Sequence, residues 1–121
     1  MSTVVDRVLA AHQSHDVEAL GWCYAHAATV WPTGWEAAAA ASEWLGAVPL
    51  ILERFPDLAF ARGRSVTSGD VTMVELRMTG TEASGEELSA DGVAVFVVHD
   101  DLVVEERHYW LYAAAPAPVT A

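Results

Sequence analysis

The residue types best suited to chemistry lie near the end of the chain, in the segment 103–112, which reads VVEERHYWLY. Glu106, His108 and Trp110 occupy alternate positions in this segment. Because successive side chains of a β-strand point to opposite faces, these three residues share one face. An imidazole between a carboxylate and an indole is typical of a cavity wall at which a proton is transferred. The alternative is a histidine that only forms a hydrogen bond within the sheet.

The composition predicts one acidic globular domain. The chain has 121 residues, of which 53% are hydrophobic and 19% are charged, enough to enclose a hydrophobic core without disulfides. Seventeen acidic residues against six basic residues, all arginine, give a net charge of −11. Such a surface repels phosphate groups and anionic lipids, so we expect neither a nucleic-acid nor a membrane partner. The absence of lysine excludes Schiff-base chemistry.

No short motif in the sequence indicates a cofactor or a metal. The chain lacks the dinucleotide-binding, phosphate-loop, zinc-protease and serine-hydrolase motifs, and its five histidines are not spaced like a metal site. Cys23 is the only cysteine, which suits a reducing compartment. The N-terminus lacks the apolar run of a signal peptide. We therefore expect a cytoplasmic protein with neither cofactor nor metal.

Helical periodicity predicts three helices in the first half of the chain. Residues 3–14 form the first, with one apolar stripe. Asp16 is typical of an N-cap and begins a second short helix that extends to Tyr24. Thr33–Glu36 matches a capping box, so a third helix is expected to begin there, and Pro49 is expected to kink or divide it.

The second half of the chain alternates like β-sheet. The predicted strands are Leu58–Val66, Val71–Gly80, Leu88–His99 and Leu102–Tyr112. Short links between them indicate antiparallel hairpins. Three helices followed by such a sheet give an α+β architecture. We expect a single domain over residues 1–112 and a mobile C-terminal tail over 113–121.

Several phrases resemble the nuclear transport factor 2-like superfamily, especially its SnoaL-like branch. In order, the matching phrases are HDVEAL (15–20), YA (24–25), ATV (28–30), GWEA (34–37), FPDL (55–58), TGT (79–81) and VEERHYW (104–110). The resemblance implies a cone-shaped, barrel-like fold in which three N-terminal helices pack on a curved, mostly antiparallel sheet around a deep apolar pocket. Members of the family include ketosteroid isomerases, polyketide cyclases, limonene-type epoxide hydrolases and proteins that only bind, so the fold leaves the function open.

The departures from the family pattern narrow the chemistry. Steroid isomerases carry a catalytic aspartate before a proline at the end of the first strand, where this chain has Trp31. Their helix tyrosine falls at Val8 and their protonated aspartate at Ala94, so we do not expect steroid-isomerase chemistry. Polyketide cyclases and epoxide hydrolases carry an essential aspartate on the last strand, and that position aligns with His108.

The resemblance adds two further catalytic candidates. Counting back from His108 places Glu75 and Arg77 where the family's epoxide hydrolases have an arginine and an aspartate, in reversed order. Residues two apart on a strand share a face. If that face is the inner one, Glu75 and Arg77 orient the substrate and the arginine stabilises developing negative charge beside His108. In the alternative, Val74 and Leu76 face the core and the charged pair is solvated.

Together these residues favour an acid–base enzyme that moves a proton on a hydrophobic, oxygenated, polyketide-like molecule. Cyclisation, epoxide opening or isomerisation in natural-product biosynthesis would each fit, and a hydratase or hydrolase differs only in admitting water. Free imidazole has a pKa of about 6.5, which suits a general base near neutrality. The predicted substrate-binding residues are Trp31, Trp110, Tyr24, Glu106 and His12.

Two other expectations concern partners. In the competing hypothesis the chain is a non-catalytic binding or association domain whose pocket is filled by side chains. The resemblance also implies a homodimer joined through the outer face of the sheet. That face would carry Val93, Val95, Val97 and Tyr109, and an apolar outer face needs a cover.

Overall fold

Three helices lie against one face of a six-stranded sheet in a computed structural model that describes residues 3–112. The expected mobile tail, 113–121, lies outside the described residues. In chain order the elements are α1 Val4–Gln13, α2 Val17–Gly21, β1 Tyr24–Trp31, β2 Ala39–Ala40, α3 Ala41–Arg54, β3 Ala59–Ser68, β4 Val71–Thr81, β5 Glu87–His99 and β6 Leu102–Tyr112.

A complete capping box fixes the start of α1. The Thr3 hydroxyl accepts a hydrogen bond from the Asp6 backbone N–H at 3.2 Å, and the Asp6 carboxylate accepts one from the Thr3 N–H at 3.0 Å. Val4 and Val8 then fall on the buried face of the helix. His12 follows Val8 by one helical turn and lies toward the interior.

The second helix is shorter than predicted, because Tyr24 belongs to the sheet. Asp16 is the N-cap, and its side chain accepts a hydrogen bond from the Ala19 N–H at 3.0 Å. The helix ends at Gly21, which has poor helix propensity. The Cys23 carbonyl already accepts a bond from the Val103 N–H at 2.9 Å, so strand pairing begins there.

The prediction that the third helix begins at Thr33 is wrong. The Thr33 hydroxyl donates to the His108 carbonyl at 2.7 Å and accepts from the Trp110 N–H at 3.1 Å, so it bonds to β6 and caps no helix. The helix begins at Ala41, where the Glu43 carboxylate accepts a bond from the Ala40 N–H at 3.2 Å.

The helix α3 runs through Pro49 without being divided. Proline removes one backbone hydrogen bond from the turn before it, and Pro49 lies on the exposed side of the helix. Trp44 and Val48 provide its buried side. None of the helices described between residues 3 and 112 is long and apolar enough to cross a bilayer.

The sheet confirms the predicted α+β architecture and all four predicted strands. Its strand order is β2-β1-β6-β5-β4-β3. The pairing of β1 with β6 is parallel, and the other pairings are antiparallel. The sheet is curved. It is also open, because β2 and β3 remain as unpaired edges in the part of the chain that the structure describes. The last strand is therefore central, between β1 and β5.

The register brings the residues that could do chemistry under the helices. Glu106 pairs with Val30 on one side and with Phe96 on the other. His108 pairs with Ala94, which in turn pairs with Val74. All of these neighbours are buried, so Glu106 and His108 lie on the inner face of the sheet.

Gly92 allows the close approach of Trp110 on the neighbouring strand. A Cβ added to Gly92 would lie 2.5 Å from the Trp110 ring, well inside van der Waals contact. We expect Gly92→Ala to lower the free energy of unfolding by about 1–3 kcal/mol in urea denaturation. In the control Gly46→Ala, a Cβ meets nothing within 4 Å on α3, and it should raise stability by about 0.5–1 kcal/mol. Equal stabilities of the two variants would contradict the close approach.

Candidate active site

A small cavity lies between α1, α3 and the inner face of the sheet. Its volume is about 90 Å³. Most of its wall is apolar, and the titratable side chains among its described lining residues are His12, Glu106 and His108. The lining residues Phe60 and Trp110 are only half-buried, so they mark the approach from solvent.

Glu106 connects two hydrogen-bonding partners beside this cavity. Its side chain is 1% exposed and that of His108 is 10% exposed. The His108 Nε2 and Glu106 Oε2 atoms are 2.5 Å apart. The Tyr24 hydroxyl donates to the other carboxylate oxygen at 2.6 Å. Both oxygens of a fully buried carboxylate are therefore satisfied, as burial of a charge requires.

The surroundings of Glu106 keep it ionised. Burial by itself would raise the pKa of this carboxyl, but the hydrogen bond and charge of His108, with the hydrogen bond from Tyr24, outweigh burial and lower it. Burial and the neighbouring Glu106 charge raise the pKa of Tyr24 well above its ordinary value. The phenol therefore remains a neutral donor to a carboxylate.

The ionised carboxylate also determines the tautomer of His108. A carboxylate only accepts hydrogen bonds, so the Nε2 atom of His108 must carry the proton in the 2.5 Å contact. When the ring is uncharged, Nδ1 keeps its lone pair, and it has no hydrogen-bond partner among residues 3–112. The ring belongs to a residue that lines the cavity.

Trp44 is a member of the site that the sequence did not indicate, because its position fits the ordinary apolar stripe of α3. Its ring contacts His108 edge-on, with centroids 5.0 Å apart. Its Nε1 atom is buried without a hydrogen-bond partner in the described chain. The indole N–H lies beside Tyr24, where its interaction opposes the rise in the pKa of that phenol. Trp44 thus packs from α3 against the group formed by Tyr24, Glu106 and His108.

His12 reaches the same cavity from α1. Its ring contacts Phe60 edge-on, with centroids 5.5 Å apart. Burial lowers the pKa of His12, the charge of Glu106 opposes this effect, and His108 and His15 add to it. The ring is therefore neutral near pH 7. The structure places His12, Glu106, His108 and Trp110 around one cavity.

One sequence family matches most of this chain. The sequence profile of the SnoaL-like domain family matches residues 5–106. The chain belongs to that family. The matched segment includes Glu106 and ends two residues before His108. A search of curated proteins finds no match.

Solved structures show how widely this SnoaL-like fold is shared. AclR of Streptomyces galilaeus, a candidate hydroxylase, is 15% identical with a TM-score of 0.80 and covers 91% of this chain and 77% of its own. IdmH of Streptomyces antibioticus, a candidate polyketide cyclase, is 20% identical with a TM-score of 0.79 and covers 88% of both chains. A protein of ketosteroid isomerase-like fold from Catenulispora acidiphila, solved with trimethylamine, is 15% identical with a TM-score of 0.79 and covers 88% and 83%. At these identities the likeness concerns the fold alone.

The expectation that Glu75 and Arg77 face the cavity is wrong for this SnoaL-like chain. Both lie on the outer face of the sheet. Glu75 pairs with Arg64 at 2.6 Å, and Arg77 pairs with Asp91 at 2.8 Å. The buried residues of β4 are the alternate ones, including Val74 and Leu76, so period-two geometry turns the charged pair outward.

Two predicted substrate-binding residues also have other positions. Trp31 is 39% exposed on the outer face, where the Arg107 guanidinium lies 4.4 Å from its ring centroid. Tyr24 is buried beneath Glu106 and supports that carboxylate without lining the cavity. In this SnoaL-like site the aromatic wall is formed by Trp44, Phe60, Phe96 and Trp110.

Proposed function

We propose that this SnoaL-like protein is an acid–base enzyme that moves a proton on a small, hydrophobic, oxygenated molecule without a cofactor. The observation that carries the proposal is the position of His108. One ring nitrogen is held by an ionised, buried carboxylate, and the other is free toward an apolar cavity. This arrangement matches the orienting carboxylate and imidazole base of enzymes that transfer protons.

The proposed step is removal of a proton from carbon beside a carbonyl group. His108 Nδ1 accepts the proton, the C–H electron pair forms a C=C bond, and the carbonyl π electrons move to oxygen as an enolate. Glu106, 2.5 Å from Nε2, stabilises the resulting imidazolium. Return of the proton to a different atom completes an isomerisation. In a cyclisation the enolate carbon instead attacks a second carbonyl, and the alkoxide that forms takes the proton from His108. Opening of an epoxide would use the same base to deprotonate water as its oxygen attacks an epoxide carbon and the ring C–O bond breaks, and the alkoxide would then take the proton from His108.

The size of the cavity limits the molecule. Drug-sized ligands occupy pockets of about 300–1,000 Å³, whereas this cavity measures about 90 Å³. It therefore accommodates one small ring. A larger polyketide-like substrate requires Phe60 and Trp110, whose ring centroids are 6.2 Å apart, to separate.

Hydrogen–deuterium exchange of cyclohexanone in D2O tests the proposed function. This ring ketone has enolisable protons and the size of the cavity. The variant His108→Gln keeps an N–H donor for Glu106 at the position of Nε2 but has no base. We expect the exchange rate to fall by about 10²–10⁴-fold, the ordinary contribution of a general base. His99→Gln, an exposed histidine at the far end of β5, serves as the control. Equal rates for His108→Gln and the unmodified protein would contradict the proposal.

The small cavity also favours one alternative function, a non-catalytic domain whose interior is filled. In that case cyclohexanone neither exchanges nor alters the fluorescence of Trp44 and Trp110 in the wall. Cyclohexene oxide distinguishes the remaining chemistry, because only an enzyme that admits water converts it to the diol. One preparation of protein therefore distinguishes a ketone-enolising enzyme, an epoxide hydrolase and a domain that catalyses neither reaction.

We further propose that the outer face of the sheet is covered by a second copy of the chain. Trp31, Tyr109 and Leu111 are exposed there, Leu111 by 79%. We expect sedimentation equilibrium to give the mass of a dimer, and Leu111→Glu to give a monomer. Leu50→Glu, at an equally apolar exposed position on α3, should leave the dimer intact. A monomer of the unmodified protein at micromolar concentration would refute the dimer.

A further inference from the structure

His12 is a polar side chain in the cavity that the proposed reaction has not used. Neither ring nitrogen has a hydrogen-bond partner among residues 3–112. Buried polar groups in proteins are almost always hydrogen-bonded. Within the same residues, Trp44 Nε1 is the side-chain atom that is both sealed by protein and unpartnered. Neither His12 nitrogen is fully sealed by protein, and the larger of the two cavities that His12 lines is the one beside Glu106 and His108.

The groups around His12 define what it can offer to a ligand. The titratable residues that face it are Glu106 and His108 on β6, with His15 at the end of its own helix, and Phe60 packs against its edge. Burial and the two histidines favour the uncharged ring over the opposing influence of Glu106. A neutral imidazole has one N–H donor and one acceptor nitrogen. A neutral imidazole N–H is an effective donor to a carbonyl oxygen at which an enolate forms.

We propose that His12 donates its N–H to the carbonyl oxygen of the bound molecule while His108 Nδ1 removes the proton from the adjacent carbon. This inference rests on the proposed function and adds a hydrogen-bond donor for the carbonyl oxygen to the base that removes the proton. As the C–H pair becomes the C=C bond, the charge on oxygen is stabilised by the His12 hydrogen bond, and His12 stays neutral throughout. In D2O the proton held on His108 exchanges with solvent, and His108 then returns a deuteron to the carbon.

The same geometry defines the substrate class. The described cavity wall contains no arginine, and its one ionised acid is Glu106. A carboxylate or phosphate would therefore be repelled. The matching ligand is an uncharged ketone of one small ring, with an enolisable C–H between the two histidines. His12 would recognise this ketone through a hydrogen bond to its carbonyl oxygen.

Two substitutions of His12 separate hydrogen bonding from packing. His12→Gln keeps an N–H donor of similar reach, and His12→Phe keeps the contact with Phe60 but removes the donor. We expect His12→Phe to reduce cyclohexanone exchange by about 10²–10³-fold, the ordinary loss for one oxyanion donor, and His12→Gln to retain the rate within about tenfold. His26→Phe, on the exposed part of β1, is the control, and thermal melts verify that each variant is folded.

A readout independent of turnover is the 13C chemical shift of cyclohexanone labelled at its carbonyl carbon. A hydrogen bond from His12 moves the bound resonance downfield. We expect this shift in the unmodified protein, in His12→Gln and in His108→Gln, and its loss in His12→Phe. Absence of the shift in the unmodified protein, or its persistence in His12→Phe, would overturn the role of His12. Equal losses of exchange in both His12 variants would also overturn the donor role. Unchanged exchange in His108→Gln would instead remove the proposed base, while the carbonyl shift still decides His12.

Discussion

Glu106→Gln is expected to reduce the rate of cyclohexanone exchange by about 10³-fold or more while preserving the fold. Glutamine has the shape of glutamate, and its amide oxygen still accepts the hydrogen bond from Tyr24. Its amide nitrogen, however, donates where the carboxylate accepted. With the amide oxygen kept on Tyr24, the amide nitrogen donates to His108 Nε2, and we expect the ring proton to move to Nδ1. A ring that carries the proton toward the cavity cannot remove another, and an amide in place of an orienting carboxylate has this consequence in serine proteases.

The tautomer itself is measurable by 15N-detected correlation of the histidine ring. We expect Nε2 to be protonated in the unmodified protein and Nδ1 in Glu106→Gln. The matched control is Glu105→Gln, one residue earlier, because Glu105 faces the outer side and pairs with Arg107 at 3.4 Å. Retention of the original tautomer in Glu106→Gln, or full activity in that variant, would refute the role given to the carboxylate.

The second large effect is on stability. We expect His108→Leu to lower the free energy of unfolding by about 3–5 kcal/mol at pH 7, because it leaves the buried Glu106 charge without its principal partner. In this variant the hydrogen bond from Tyr24 is the one that remains to the Glu106 carboxylate. Urea denaturation measures the loss, and His99→Leu, whose partner Asp70 is as exposed as itself, should change stability little.

The pH dependence of this loss has a defined sign. In the unmodified protein the folded pKa of Glu106 is lowered, so its contribution to stability is present above the unfolded pKa of about 4.3 and is lost as pH falls through the folded pKa. In His108→Leu the partner that lowered it is gone, and burial raises the folded pKa. The contribution of Glu106 is then present below about 4.3 and is lost as pH rises. The deficit of His108→Leu should therefore be smaller at pH 4.5 than at pH 7.5. A deficit that grows on acidification would contradict the assignment.

The sequence predicts the sheet well and the connections poorly. Strand β6 alternates strictly between faces, and its bounds were predicted to the residue. Thr33 illustrates the opposite case. Its capping-box pattern is local, whereas its hydroxyl is taken by the His108 carbonyl, 75 residues away in the chain. A long-range hydrogen bond of this kind leaves no trace in local spacing, so helix α3 could not be placed correctly.

The site was predictable where it depends on one strand. Glu106, His108 and Trp110 were placed together because period two is a property of the strand itself. The outward orientation of Glu75 follows from the buried Val74 beside it, whereas the resemblance to the family favours the inner face. The bond from Tyr24 to Glu106 joins residues 82 apart, and the volume of the cavity depends on how Trp44 and Phe60 pack. Neither follows from spacing.

The Thr33 hydroxyl bridges the backbone on either side of Tyr109, and it lies outside the cavity wall. A surface turn thereby fixes the position of the β6 backbone that carries the His108 side chain. Residues 34–37, next to it, are exposed, although the Trp35 ring contacts the buried Trp44 edge-on, with centroids 6.2 Å apart. A substitution in this turn can therefore alter the position of His108 without changing any residue that lines the cavity.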